Sequence, residues 1–168
     1  MLWALWTGKE ASYKVLQKER GEISAAPRLY QVQFTPEDGR ASLAGERLLA
    51  GIVATPVGDI HLSTLIASDY VHSIASFFPA AAGIVWNVER IAGELPSPAE
   101  ESAYVRAAAI KCLAQILAVS PAEIEIIRHP GRRGLDPPQV YVRGQAAAID
   151  LSLSHDGRYA AYAFVMNY

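Results

Sequence analysis

The chain has 168 residues, 51% of them hydrophobic and 19% charged, with a formal net charge of −2; this length suits one domain or two small halves sharing a core, and this composition excludes a disordered chain. So weak a charge gives no reason to expect a nucleic-acid partner, and no run approaches the about 18 apolar residues of a membrane span. The single cysteine, Cys112, excludes an internal disulfide and suits a reducing cytoplasm.

The opening Met1-Leu2-Trp3-Ala4-Leu5-Trp6 is too short for a signal-peptide core and lacks a basic leader, so a cytoplasmic location is expected. Thr7 is an N-cap candidate, and no Gly or Pro interrupts Lys9 to Arg20, which predicts a helix from Gly8 to about Arg20. Gly21 to Pro27 reads as a linker, Arg28 to Phe34 as a strand, and Thr35-Pro36-Glu37-Asp38-Gly39 as a hairpin turn. Strands are expected at Leu43 to Ala54, Asp59 to Ile66 and Tyr70 to Phe78. The apolar stretch from Phe77 to Trp86 contains Pro79 and reads as a buried crossover, with Gly83 to Ile91 a strand running into a turn. Pro96-Ser97-Pro98 opens a helix through Ala99 to Val119, Ser97 capping it and Pro98 in its first turn; Cys112 on this helix reads as a buried structural residue. Strands follow at Glu123 to Arg128, Gln139 to Arg143, Ile149 to Leu153 and Tyr159 to Val165.

On the first helix Glu10 and Lys14 are four residues apart and share a face, with Lys18 one turn further on. Such a set is either a solvated ion pair, worth about 0.2–0.5 kcal/mol, or a carboxylate that holds a divalent cation beside lysines that meet phosphate oxygens. Ser154 and His155 at a strand end are able to donate to a phosphate, the imidazole better when protonated. Asp156 beside Gly157 is also an ordinary turn residue. Arg128, His129, Arg132 and Arg133 cluster ahead of Pro137-Pro138, either as phosphate contacts or as a solvated loop. His61 and His72 have no metal-ligand spacing and read as structural.

The pattern W-x-x-K-E-A-x-x-K from Trp6 to Lys14 resembles a signature of the 4′-phosphopantetheinyl transferases, which move the phosphopantetheine arm of coenzyme A onto a carrier-protein serine. A second signature of that family resembles Leu151-Ser152-Leu153-Ser154-His155-Asp156 followed by Tyr159-Ala160-Ala161-Tyr162-Ala163-Phe164-Val165, and Gly134-Leu135-Asp136-Pro137-Pro138 is similar to the loop between the two. The resemblance implies an α+β pseudodimer of two related halves, residues 1–80 and 81–168, each a long helix packed on a small, mostly antiparallel sheet. It implies transfer to an acyl or peptidyl carrier protein with magnesium, Glu10 as metal ligand, Lys14 as phosphate contact and proton acceptor, and Lys9, Arg132, Arg133, Ser154 and His155 as coenzyme A contacts. Asp156 is the replacement metal ligand this implies, because the family's G-I-D strand has only the echo Gly83-Ile84-Val85, with valine where the aspartate would stand.

Two internal matches accompany the resemblance. A shift of 97 residues lays Lys9-Glu10-Ala11 over Arg106-Ala107-Ala108, and a shift of 89 lays Leu62-Ser63 over Leu151-Ser152 and Tyr70 over Tyr159. The first half keeps the acid and lacks Ser-His; the second keeps Ser-His and lacks the acid. The halves stand in the opposite order to the pseudodimeric transferases, as in a circular permutation or a loss of the G-I-D strand. Two other readings are an impaired relative that binds coenzyme A or a carrier protein, and half of a split enzyme whose partner chain supplies the missing strand.

Overall fold

The computed structural model describes residues 2–21, 24, 26–35, 40–41, 46–79, 83–93, 97–131 and 134–167. The fold class is α+β, and the chain divides into two units, Met1–Ala82 and Gly83–Tyr168.

In the first unit, α1 (Leu2–Arg20) leads through a 3₁₀ turn (Pro27–Leu29) into β1 (Gln31–Phe34), β2 (Arg40–Ala41), β3 (Arg47–Thr55), β4 (Gly58–Ile66) and β5 (Val71–Ser76). All pairings are antiparallel, in the order β1-β3-β4-β5, with β2 also on β3. Period-two alternation puts Leu49, Val53, Ile60 and Leu62 inward. The helix buries Ala4, Gly8, Ser12 and Leu16, a stripe recurring every fourth residue. Its small members let the backbone approach the sheet: a Cβ on Gly8 would lie 2.8 Å from Leu62 Cδ2 and 3.4 Å from Val32 Cγ2. Leu16, Tyr30, Val53, Ile60 and Leu62 form this unit's core.

Helix α1 starts earlier than the sequence predicts. Leu2 to Trp6 are already helical, and Thr7 is no cap; its hydroxyl bonds back to the Ala4 carbonyl at 3.3 Å and meets the Ser73 hydroxyl at 2.8 Å. Glycine lowers helix propensity by only about 1 kcal/mol, and the packing of Gly8 against the sheet overrides that cost. Arg28 is in the 3₁₀ turn, where Pro27 at its first position fixes φ, and the strand expected there begins at Gln31. The expected turn from Pro36 to Gly39 lies outside the described residues, as do Leu43 to Gly45; the strand expected from Leu43 is seen from Arg47.

In the second unit the order is β6 (Val85–Arg90), α2 (Pro98–Leu117), a 3₁₀ turn (Pro121–Glu123), β7 (Ile124–Ile127), β8 (Pro130–Gly131), β9 (Gly134–Leu135), β10 (Gln139–Val142), β11 (Gln145–Ala146), β12 (Ile149–Asp156) and β13 (Tyr159–Met166). The antiparallel sheets are β12-β13-β6, β11-β10-β7 and the small β8-β9 ladder. Ser97 caps α2 as expected, accepting from the Glu100 N–H, and the helix closes at Ala118 in a left-handed conformation (φ 52°). Ala109, Leu113, Leu151 and Phe164 are the centre of the core, and Val85 and Cys112 pack against it. Burial, with the neighbouring Cys112 thiol second, raises the Tyr162 phenol above its ordinary pKa. Strand β12 runs on to Asp156, beyond the Leu153 end that the sequence predicts, because its ladder with β13 continues to the Asp156–Tyr159 pair.

The two units repeat one local pattern. Hairpin β4–β5 pairs Leu62 with Ala75 and Ile66 with Val71; advancing each partner by 89 gives Leu151 with Phe164 and His155 with Ala160, which are pairs of hairpin β12–β13. Advancing Gly8, Ser12 and Leu16 by 97 gives Val105, Ala109 and Leu113, and all six are buried.

Two substitutions probe the first unit. A Cβ on Gly51 would lie 2.6 Å from the Gln33 carbonyl and 3.3 Å from Phe34 Cα, both backbone atoms. Gly51→Ala is therefore expected to destabilise the protein by about 1–3 kcal/mol in urea unfolding, the ordinary cost of overpacking; unchanged stability would show that β1 moves away freely. Ser12 is fully buried and its hydroxyl has no hydrogen-bond partner among the described residues. Ser12→Ala is expected to raise stability by about 1 kcal/mol, since an unsatisfied buried hydroxyl costs about 1–3 kcal/mol. A loss of stability would reveal a partner for that hydroxyl.

Candidate functional site

The buried stripe of α1 decides where its charged residues go. With Ala4, Gly8, Ser12 and Leu16 turned to the sheet, Glu10 and Lys14 are both solvent-exposed and Lys9 is half-buried, its Nζ donating to the Pro27 carbonyl at 2.9 Å. That bond holds the chain after the helix against the helix flank, a structural use of a residue expected to contact coenzyme A. The helix is anchored by a chain of hydroxyls: Thr7 Oγ1 to Ser73 Oγ at 2.8 Å, and Ser73 Oγ to fully buried Thr64 Oγ1 at 2.8 Å. Neighbouring His72 on β5 is pushed down to about pKa 4, first by burial and then by the Lys14 ammonium. Lys14 thus combines solvent access with a positive field felt by the adjoining strand.

The second set lies at the tip of the β12–β13 hairpin. Ser154 pairs with Ala161, His155 with Ala160 and Asp156 with Tyr159, and the turn Gly157-Arg158 closes the hairpin with Gly157 at φ +54°. Asp156 is thus the last strand residue, flanking the turn. Successive strand residues leave on opposite faces, so His155 shares the side of Leu151 and Leu153, whereas exposed Ser154 shares that of Ser152 and exposed Asp156. His155 Nδ1 lies 2.8 Å from Glu101 Oε2, the two side chains 31% and 19% exposed. Glu101 is in the first turn of α2, where Ser97 Oγ accepts from the Glu100 N–H at 3.3 Å and donates to Glu100 Oε2 at 2.7 Å. One acid therefore serves the cap and the next meets the histidine.

Sequence reasoning missed Glu101. Its position in the first turn of a capped helix is readable from Ser97-Pro98-Ala99-Glu100-Glu101, but its partner is 54 residues away, and no local pattern encodes that meeting.

The loop expected to meet phosphates is partly used for its own structure. Arg128 donates from Nε to the Asp136 carbonyl at 2.9 Å and from a terminal nitrogen to the Leu135 carbonyl at 3.1 Å. His129 Nε2 is 3.3 Å from the Tyr141 hydroxyl, which donates to Gln139 Oε1 at 2.9 Å. Gly131 leaves room for the Asp136 carboxylate, which a Cβ would overlap. Arg132 and Arg133 lie outside the described residues. Within the first unit Lys9, Glu10 and Lys14 are thus gathered on one helix, and within the second Ser154, His155 and Asp156 on one hairpin tip. Among the described residues, no group of three or more His, Cys, Asp or Glu side chains is placed to hold a metal ion.

Comparison with protein-family models, curated proteins and solved structures gives no match.

His72 makes stability depend on pH. Its folded pKa of about 4 is below the ordinary 6.5, so the unfolded chain takes up a proton first as pH falls. The contribution is fully present above pH 6.5 and is lost as pH drops toward 4, up to about 3 kcal/mol at 1.36 kcal/mol per unit. Urea midpoints measured across that window are expected to fall in the parent and to flatten in His72→Gln; equal slopes would mean that His72 is not the group titrating.

Proposed function

We propose that this chain is a 4′-phosphopantetheinyl transferase that takes coenzyme A and modifies a serine of an acyl or peptidyl carrier protein. The observation that carries the reading is the shared register of hairpins β4–β5 and β12–β13, together with the matching buried faces of α1 and α2. It supports two copies of one unit, a pseudodimer, in which the acidic helix motif survives in one copy and the Ser-His strand in the other. The residues this reading assigns are Glu10 and Lys14 in the first copy, and Ser154 and His155 in the second.

In this reaction the carrier serine oxygen bonds to the β-phosphorus of the coenzyme A pyrophosphate. The bond to the bridging oxygen breaks, and adenosine 3′,5′-bisphosphate departs with the electron pair. Charge must be gathered around the phosphorus and the leaving phosphate, so positioned cations and donors supply most of the catalysis. Lys14, an exposed ammonium, neutralises phosphate oxygens; after proton loss the same nitrogen accepts the serine proton. The exposed carboxylate oxygens of Glu10 suit magnesium, a hard cation that keeps several waters and uses one or two protein carboxylates, with exposed Asp156 as a further candidate. Bound there, magnesium supplies charge to the pyrophosphate. His155 and Ser154 leave opposite faces of β12, so they meet different parts of an extended ligand rather than one phosphate.

A second reading is favoured by Val85, which packs against the core where the family's acid strand carries aspartate. It makes the chain a coenzyme A or carrier-protein binding module, or half of a split enzyme.

Mass spectrometry of an apo carrier protein incubated with the chain, coenzyme A and magnesium decides between them. The phosphopantetheine adduct is expected, with a rate about 100-fold lower in Glu10→Ala, as for loss of one transition-state charge contact. Coenzyme A binding without any adduct would sink the transferase reading in favour of the binder.

A further inference from the structure

We infer that Thr7 and Ser73 are positioning residues for Lys14, setting where α1 stands along β5 and so where the ammonium is offered to a phosphate. The phosphate in that statement rests on the transferase reading above. The hydroxyls that join the helix to the sheet form a chain with one direction. Thr7 Oγ1 donates to the Ala4 carbonyl at 3.3 Å, which uses its only proton. Ser73 Oγ, 2.8 Å from Thr7 Oγ1, must then donate to it, and fully buried Thr64 Oγ1, 2.8 Å from Ser73 Oγ, donates to Ser73 in turn. Three protons thus point one way, from β4 through β5 to the helix, and the chain closes on a backbone carbonyl.

The buried stripe brings the helix close but gives no direction. Contacts made by Ala4, Gly8 and Leu16 are dispersive and non-directional, whereas a hydroxyl bond weakens steeply when it is bent or stretched. Lys14 follows Thr7 by seven residues, about 20° short of two full turns, so it stands about 10.5 Å further along the helix on the same side. Both therefore overlook β5. Ser73 on that strand meets Thr7, and its neighbour His72 feels the positive field of Lys14. Any slip of α1 at the hydroxyl chain would carry Lys14 with it. Valine at position 7 keeps the branched shape and removes both the proton and the acceptor; serine keeps both and drops only a methyl.

The test uses the full chain with a nitroxide on exposed Gln17→Cys in a Cys112→Ser background, read by NMR as broadening of the β4 and β5 amide signals. Thr7→Val and Ser73→Ala are expected to redistribute that broadening along β5, and Thr7→Ser to keep the parent distribution. Titration with coenzyme A, without the label, is expected to show about fivefold weaker binding in Thr7→Val and parent affinity in Thr7→Ser, the scale of one displaced charge-assisted hydrogen bond. In a Lys14→Met background the Thr7→Val loss is expected to vanish, because the hydroxyls act through the ammonium. Unchanged broadening in both Thr7→Val and Ser73→Ala overturns the inference, as does a Thr7→Val loss of affinity that is equal with and without Lys14. A parent that does not bind coenzyme A removes the transferase reading instead, and the broadening alone then decides whether the hydroxyls place the helix.

Discussion

A helix lies close on a sheet only where its facing side chains are small, and in the first unit this constraint governs the rest. Ala4, Gly8 and Ser12 bring the α1 backbone down onto β4 and β5, near enough that a methyl at position 8 would press on Leu62. Leu16, the one large member of the stripe, joins Tyr30, Val53, Ile60 and Leu62 in the core. Once that stripe is buried, helical geometry leaves no choice for Glu10 and Lys14: they face solvent. The exposure of the two residues with the strongest chemical interest follows from the packing of four that have none.

Close approach also brings the helix polar groups against strand polar groups, which need partners. The Thr7, Ser73 and Thr64 hydroxyls provide them for one another, so fully buried Thr64 is satisfied. The second unit meets the same requirement differently. Its helix buries Val105, Ala109 and Leu113 at the positions of Gly8, Ser12 and Leu16, a bulkier set that fills more volume and brings no hydroxyl. The two hairpins match in register where the two helix stripes differ in size, and a ladder tolerates no register change without turning every side chain to the other face.

Much of this was legible in the sequence. Ser97-Pro98 announced α2, and strand-forming stretches set between turn formers announced β4, β5, β10, β12 and β13, since caps and turns are local. The errors were also physical. Gly8 made the start of α1 look later than it is, because propensity is a weak prior against tertiary burial. Strand β12 looked short because Ser154, His155 and Asp156 are polar, yet ladder bonds to β13 are made by backbone and do not depend on their side chains. The approach of Glu101 to His155 was not legible at all, since it arises from how α2 is laid on β12.

Position 85 bears on the proposed reading, because the resembling family carries its metal-binding aspartate there. Val85 packs against the core of the second unit, together with Ile149, Leu153 and the buried Phe164. Val85 is half-buried, so a carboxylate placed there would lose part of its hydration and the apolar packing that valine provides. Valine keeps β6 apolar at that point and contributes packing instead, so the strand that adds to β13 serves the fold. In the proposed reaction the protein oxygens offered to magnesium must then come from exposed carboxylates, Glu10 foremost, and the remaining ligands from water and the pyrophosphate. On the proposed reading such a site would hold the ion weakly alone and more tightly with the substrate. That is the behaviour expected of a small hard cation that sheds its waters reluctantly and prefers phosphate oxygens when it does.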